Sequence, residues 1–445
     1  MKASLEKCYF SDKLGACKDK KELKGKPDHI KAEMNIVNVY PELTDQIFDG
    51  FGGAITDASA KVLMNMSDKK RKDILKAYFG KKGIGYSLLR VPLDSCDFSE
   101  NQYEASDNWI AGKDKKLVFT SEEELQIQLI AEIYEVAGFK LPVLLCPWSP
   151  PSAMKDNGDR IGGKLLKDRY KDFADYMCNY ILGLKDRGIN VSSVTIQNEQ
   201  NAWQIWDSCL YTEDDEVSFI TEFLVPALKK YKLDEISIYL WDHNKERVVE
   251  RAIKGFFTGE EMIEGIAFHW YTGDHFDALR AVHERFPDKK LSHTEGCVEL
   301  SRYQDSTDIM NAVRYAHDIL GDIENGTSSY YDWNIVLDEK GGPNYVDNFC
   351  DAPVIYDTKW SKAIERMTFH YIGMISRYIR PGAVRLTSTI YDSDIDHTAF
   401  ENSDGSIALV LLNRKNTVQK ICCRMSGKLY DFEIEANGMA SILFS

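Results

Sequence analysis

Val191-Ser-Ser-Val-Thr-Ile-Gln-Asn-Glu-Gln-Asn-Ala-Trp203 decides how the rest of the chain is read. Val191, Val194 and Ile196 are apolar and β-branched, the composition of a short buried strand. The apolar run stops at Gln197-Asn198-Glu199, two amides and an acid. A strand fixes the position of its last side chains, and the loop beyond leaves them open to a ligand. Asn198 and Glu199 can equally cap the following turn, so this segment alone does not separate a site from a cap. Lys290-Leu-Ser-His-Thr-Glu295 is a second short strand ending on an acid, followed by Gly296 and Cys297. Two strand-end acids roughly a hundred residues apart fit a parallel barrel, whose strand ends all open on one face.

The flanking sequence supplies the remaining units of such a barrel. Ile47-Phe-Asp-Gly-Phe-Gly-Gly-Ala-Ile-Thr-Asp57 is a strand running into glycines, which allow close backbone approach. A helix from about Ser67 to Phe79 follows, then strand Ile84–Val91 with Asp94, Cys96, Asp97 and Phe98 in its loop. A helical pattern from Glu122 to Ala137 leads to the strand Leu141–Trp148, and helix 168–186 to the strand ending at Glu199. Helices 214–231, 246–257, 275–286 and 307–320 alternate with strands at Ile236–Asp242, Gly265–Tyr271, Lys290–Glu295 and Ser329–Asn334. A helix at about 361–378 closes the set. Eight strand–helix units over roughly 330 residues predict a (β/α)8 TIM barrel.

From Ala383 the pattern changes to short alternating strands, such as Ile407–Leu412 and Ala440–Phe444, separated by Gly- and Asn-rich turns. These read as a side β-sandwich, which polar N-terminal segments such as Ile36–Tyr40 complete. The expected division is 1–45 for the N-terminal strands, 46–380 for the barrel and 381–445 for the rest of the sandwich.

Composition narrows the function. A net charge of −15 argues against a nucleic-acid partner, whose phosphates need clustered Lys and Arg. The one basic run, Lys18 to Lys26, includes Asp19 and Glu22 and reads as solvated surface. No stretch approaches the roughly 20 apolar residues of a membrane span. No signal peptide is visible after Met1, and ten cysteines occur without a CxxC pair, so reduced thiols and a cytoplasmic location are expected. Nine histidines show no zinc spacing, and neither a metal nor a cofactor is expected. Asp392-Ser-Asp-Ile-Asp396 imitates a calcium loop, but His397 stands at its glycine position, and a surface turn is the reading.

If the barrel is right, one face collects Arg90, Asp97, Trp148, Asn198, Glu199, Asp242, His269, Tyr271, Glu295, Trp333 and Asn334. Aromatic faces with amide and charged hydrogen-bond partners suit a sugar. Two carboxylates beside such a pocket suit glycoside hydrolysis, one protonated through a raised pKa and one kept ionised by a cation such as Arg90. Trp241 and Trp270 are read as packing.

With Gly50-Phe-Gly-Gly-Ala-Ile-Thr-Asp57, Gly83–Pro92 with Ser95–Ser99, Cys146-Pro-Trp-Ser-Pro150, Phe268-His-Trp-Tyr271, Thr294-Glu-Gly-Cys297, Asp332-Trp-Asn334, Gly341-Gly-Pro-Asn344 and Asp404-Gly-Ser406, the chain resembles glycoside hydrolase family 30, most of all its glucosylceramidase branch. The resemblance implies a retaining β-glycosidase with Glu199 as acid/base and Glu295 as nucleophile. It also implies that Arg90, Asp97, Trp148, Asn198, His269, Tyr271, Trp333 and Asn344 serve the sugar subsite. The partner would be a small-molecule or oligosaccharide β-glycoside, of a β-glucoside, β-xyloside or β-fucoside kind. An endo-acting β-glucanase and a non-catalytic sugar-binding barrel are the alternatives. Two positions depart from the family pattern: Gln200 stands where proline is usual, and Pro151-Ser-Ala-Met154 lacks a further tryptophan. Trp203 and Trp206 are candidates for the aglycone wall instead.

Overall fold

Eight parallel strands close on one another in the computed structural model, which describes residues 1–8, 20–28, 34–105 and 117–445. They are β1 (Gly50–Ala54), β2 (Leu88–Leu93), β3 (Val143–Pro147), β4 (Val191–Thr195), β5 (Ser237–Asn244), β6 (Ile263–His269), β7 (Lys290–Glu295) and β8 (Thr327–Asp332). Each pairs in parallel with the next, and β8 returns to β1, so the expected TIM barrel is closed. Cys17, Lys18 and Asp19 lie outside the described residues.

Alternation along the strands decides which side chains enter the barrel. On β2, Leu89 and Val91 join the large apolar core shared with the surrounding helices, whereas Leu88 packs with Leu144, Tyr239, Ala267 and Tyr331. Arg90 follows Leu88 on the same face by the two-residue period of a strand. A Cβ at Gly52 would stand 2.2 Å from the Leu88 carbonyl oxygen, so β1 and β2 can approach only because that side chain is absent. Helix ends follow local signals. Ser121–Ala137 opens on a capping box between Thr120 and Glu123 and stops at Gly138, whose φ is 83°.

The second unit is a β-rich sandwich built from both ends of the chain. Its ten strands run in the order Lys21–Leu23, Ala3–Cys8, Met439–Phe444, Ile407–Asn413, Ile395–Glu401, Ala383–Ile390, Ile36–Phe48, Gln419–Met425, Lys428–Ile434, Lys26–Pro27. Ile407, Leu409 and Leu411 face a core with Leu5, Val39 and Phe432, while Ala408, Val410 and Leu412 face the barrel's core. Burial on both faces explains that strand's unbroken apolar run.

Two local readings change. Ile47 and Phe48 end a sandwich strand paired with Ala383 and Val384, and the barrel begins only at Gly50. The segment read as the start of the last helix, Lys362–Glu365, instead pairs antiparallel with Val354–Asp357, which lies parallel to Val336–Asp338. The turn between them passes through Ser361 at φ 48°, and the helix proper is Met367–Ser376. The acids of the calcium-like turn are held by cations, Asp392 by Lys415 and Asp396 by Arg414 and His317. Among the described residues no helix is long and apolar enough to cross a membrane, and the nine described cysteines carry free thiols.

Candidate active site

At the carboxyl ends of the strands, a buried guanidinium organises the floor. Arg90 is fully buried and donates to Glu295 Oε2 at 2.6 Å, Asp242 Oδ2 at 3.0 Å and Asn198 Oδ1 at 2.9 Å. Its guanidinium carbon lies 4.8 Å from the Trp148 ring centroid and 5.5 Å from that of Trp333, and the two indoles stack at 5.2 Å. Indole faces attract the cation electrostatically, which adds to the ion pairs in fixing it. Glu295 receives a second hydrogen bond at Oε1, from the Tyr271 hydroxyl at 2.9 Å. Its two oxygens are therefore held separately, by a cation and by a phenol.

Asp242 ties this floor to the other acid. Besides Arg90 it accepts from Thr195 Oγ1, Thr294 Oγ1 and the Cys146 thiol, and it faces His269 Nε2 at 3.1 Å. Burial opposes its charge, but Arg90 and His269 outweigh burial and hold its carboxyl far below the usual carboxylate range. The same His269 turns Nδ1 to Glu199 Oε1 at 3.3 Å and to Glu295 Oε1 at 4.0 Å. His243 Nδ1 lies 3.6 Å from Glu199 Oε1, and the Gln204 amide donates to Glu199 Oε2 at 3.3 Å.

The acids differ from the sequence expectation in one respect. A raised pKa was expected for one of them, yet Glu199 is lowered to about 2, because burial is outweighed by the neighbouring His243 and His269 imidazoles. Burial holds His243 below its ordinary range. His269 is raised to about 9, since Glu295, Asp242 and Glu199 together overcome its own burial. The pair thus favours the proton on the His269 imidazole over the Glu199 carboxyl. Among the acids lining the cavity, Asp97 is the one held well above the usual carboxylate range, by burial and by Glu295 and Glu199. Its Oδ1 has no hydrogen-bond partner among the described residues, and the residue lines the cavity, ready to meet a hydroxyl.

A cavity of about 150 Å³ opens above this floor. Of the residues expected from sequence, Asp97, Glu199, Tyr271, Glu295 and Trp333 line it. Arg90, Trp148, Asn198 and His269 sit behind, holding those residues by the contacts above. Asn344 does neither. Its amide spans its own loop, donating to the Asn348 carbonyl and accepting from the Val346 and Asn348 N–H groups, and Asn348 is the loop residue that lines the cavity. Trp206 also lines it, whereas Trp203 is 66% exposed and lies over Gly162. Gln204, His243, Asn244, Cys297, Glu299, Arg302 and Cys350 complete the lining and were not expected from sequence. Trp241 and Trp270 are buried, Trp270 against Tyr315.

Backbone strain concentrates here. Glu199, Trp241, Asp242 and Asn334 all have positive φ, between 50° and 71°. Such residues cost on the order of 1–3 kcal/mol each and persist where surrounding contacts dictate them. The register of β5 against β6 skips Asp242, and this bulge lets the successive residues Asp242 and His243 both serve the site.

The sequence model of the glycosyl hydrolase family 30 TIM-barrel domain matches residues 48–379, and that of the family's beta sandwich domain matches 382–442. The chain belongs to glycosyl hydrolase family 30. Within the family it is 30% identical to the lysosomal acid glucosylceramidase of Mus musculus, over 86% of this chain and 78% of that one. The crystal structure of SrfJ from Salmonella typhimurium superposes with a TM-score of 0.93 at 33% identity, covering 100% of this chain and 99% of the other. The endo-beta1,6-glucanase BT3312 gives a TM-score of 0.87 at 25% identity, covering 100% and 99%. A family 30 member is a glycoside hydrolase, and sugar is its substrate class. The position usually occupied by proline in the family is filled here by buried Gln200. Its amide donates to Glu216 at 2.7 Å and accepts from Arg251 at 3.2 Å, so the loop after Glu199 is pinned by hydrogen bonds.

Proposed function

We propose that the protein is a retaining β-glycosidase that removes a single neutral sugar, a β-glucosyl unit foremost, from its aglycone. The observation that carries this reading is that one imidazole nitrogen, His269 Nδ1, lies within 4.0 Å of both Glu199 and Glu295. Such proximity favours the carboxyl separation of about 5–5.5 Å used by retaining enzymes over the about 6.5–9.5 Å of inverting ones. Glu295, aimed by Arg90 and Tyr271, attacks the anomeric carbon. Glu199 protonates the departing oxygen with the proton stored on the Glu199–His269 pair, then activates water to release the sugar. Asp97 holds a hydroxyl of the bound ring.

The lining supports a neutral glycone, since Asp97, Glu199, Glu295 and Glu299 outnumber Arg302. A volume of about 150 Å³ lies below the roughly 300–1,000 Å³ of larger ligand pockets and suits one ring rather than a polymer. A glucosyl unit is also common to the names of the mouse and BT3312 relatives. A 2-deoxy-2-fluoro-β-glucoside should inactivate the enzyme and label the peptide containing Glu295. NMR of the first-formed product should show the β-anomer. A label elsewhere, or an α-anomer formed first, would overturn the reading.

A further inference from the structure

We propose that Glu199, His243 and His269 form a binding site for one borderline divalent transition cation, of the Zn²⁺ and Co²⁺ class. Occupation takes Glu199 out of the reaction. That second half rests on the acid/base role proposed above; the binding itself does not.

The three residues present one ligand atom each, all within 4.8 Å of one another. Two edges of the triangle are the 3.6 Å from His243 Nδ1 to Glu199 Oε1 and the 3.3 Å from His269 Nδ1 to the same oxygen. Zinc bonds of about 2.0–2.2 Å in tetrahedral geometry set neighbouring ligands about 3.3–3.6 Å apart. The ion-free spacing therefore already matches those two edges. Two imidazoles and a carboxylate are a donor set that such ions favour over magnesium or calcium.

Two further observations point to a ligand. His243 Nδ1 is buried and has no hydrogen-bond partner among the described residues. His269 Nε2 faces Asp242 Oδ1, the outer carboxylate that typically orients a metal-binding histidine and raises its basicity. His243 and Glu199 both line the cavity, which leaves the remaining coordination position to water or a sugar hydroxyl. The cation would replace the proton on His269 Nδ1, which binding releases. A second cluster offers a contrast. His293, Asp318 and Asp322 are also grouped, but Lys245 Nζ already lies 2.5 and 2.7 Å from the two carboxylates, so that cluster contains its own cation.

The test uses the full chain freed of metal by EDTA and titrated with Co²⁺, followed by calorimetry and by visible absorption. One equivalent should bind, giving the ligand-field bands of a low-coordinate nitrogen and oxygen site. His243→Phe and Glu199→Gln should each weaken binding at least about tenfold. Cys297 and Cys350 also line the cavity, with their sulfurs 3.2 Å apart. The double variant Cys297→Ser, Cys350→Ser should therefore keep the parent affinity. A thiolate-to-cobalt band, the absence of saturable binding up to millimolar Co²⁺, or unchanged affinity in Glu199→Gln would overturn the site. Glu199→Gln decides if His243→Phe does not fold. With Zn²⁺, hydrolysis should be inhibited competitively with substrate and restored by EDTA. Stoichiometric binding without inhibition would leave the site standing and overturn the role given to Glu199.

Discussion

Glu295 and Glu199 line one cavity and share His269, but little else in their surroundings agrees. Glu295 is gripped by Arg90, a permanent cation, and by the Tyr271 hydroxyl. Glu199 is surrounded by groups that change or carry no charge: His269, His243 and Gln204. A nucleophile must stay ionised and aimed, whereas an acid/base must gain and lose a proton within each turnover. A fixed partner suits the first and a titrating partner suits the second. Asp242 joins the two by bonding both Arg90 and His269.

The largest expected effect breaks the Glu295 side. If Glu295 is the proposed nucleophile, Glu295→Ala should cost at least about 10⁴-fold in turnover on every leaving group. Any product formed with added azide should be the α-azide, from direct attack on the opposite face. Glu199→Ala should behave differently. Loss should reach about 10²–10⁴-fold on alkyl glycosides, where the leaving oxygen needs a proton. Glycosylation from a dinitrophenyl glycoside should be far less impaired, and azide should restore turnover with the β-azide as product. Equal loss on all leaving groups without azide rescue, in a protein folded by circular dichroism, would make Glu199 a strand cap.

Smaller effects sharpen the contrast. Tyr271→Phe removes one charge-assisted hydrogen bond to Glu295, about 1.5–3 kcal/mol, so kcat should fall about ten- to hundredfold with KM little changed. A rise in KM with kcat unchanged would mean that the phenol binds sugar rather than aiming the nucleophile. The smallest effect is on stability. His269 is raised to about 9 in the folded chain, against about 6.5 unfolded. Its contribution is fully present below pH of about 6.5 and is lost as pH rises through about 9. Denaturant titrations at intervals across that window should show stability falling with pH in the parent, and a flatter profile in His269→Asn.

Much of the fold was legible because strands that end on chemistry-bearing residues still obey ordinary apolar patterning. Glu199 follows a short run rich in β-branched apolar residues, Glu295 ends a short segment between Asp288 and Gly296, and parallel topology then brings every strand end to one face. What period analysis could not show is where the backbone leaves the strand path. His243 was invisible because a regular strand would send it away from Asp242; only the bulge and the positive φ values re-aim it. Asn344 was placed in the site by family pattern, but its amide is spent on its own loop and Asn348 takes the cavity position. The misread helix start had a weak signal in Asp357-Thr-Lys-Trp-Ser361, a polar turn at which Trp360 N–H bonds back to Asp357. The lowered Glu199 pKa had no signal at all, since it depends on two imidazoles from other strands.

The strand Met439–Phe444 lies between Ala3–Cys8 and Ile407–Asn413 in the sandwich. On the ribosome it is made after every barrel strand, and until it emerges those two neighbours each present an open edge. Every barrel strand, with Glu199 and Glu295, is therefore synthesised before the sheet beside it can close, although Ala408, Val410, Leu412 and Met439 of that sheet share the barrel's core. Stalled or clipped chains lacking that strand would carry both acids and two unpaired edges, the pairing surface through which strands of different chains join.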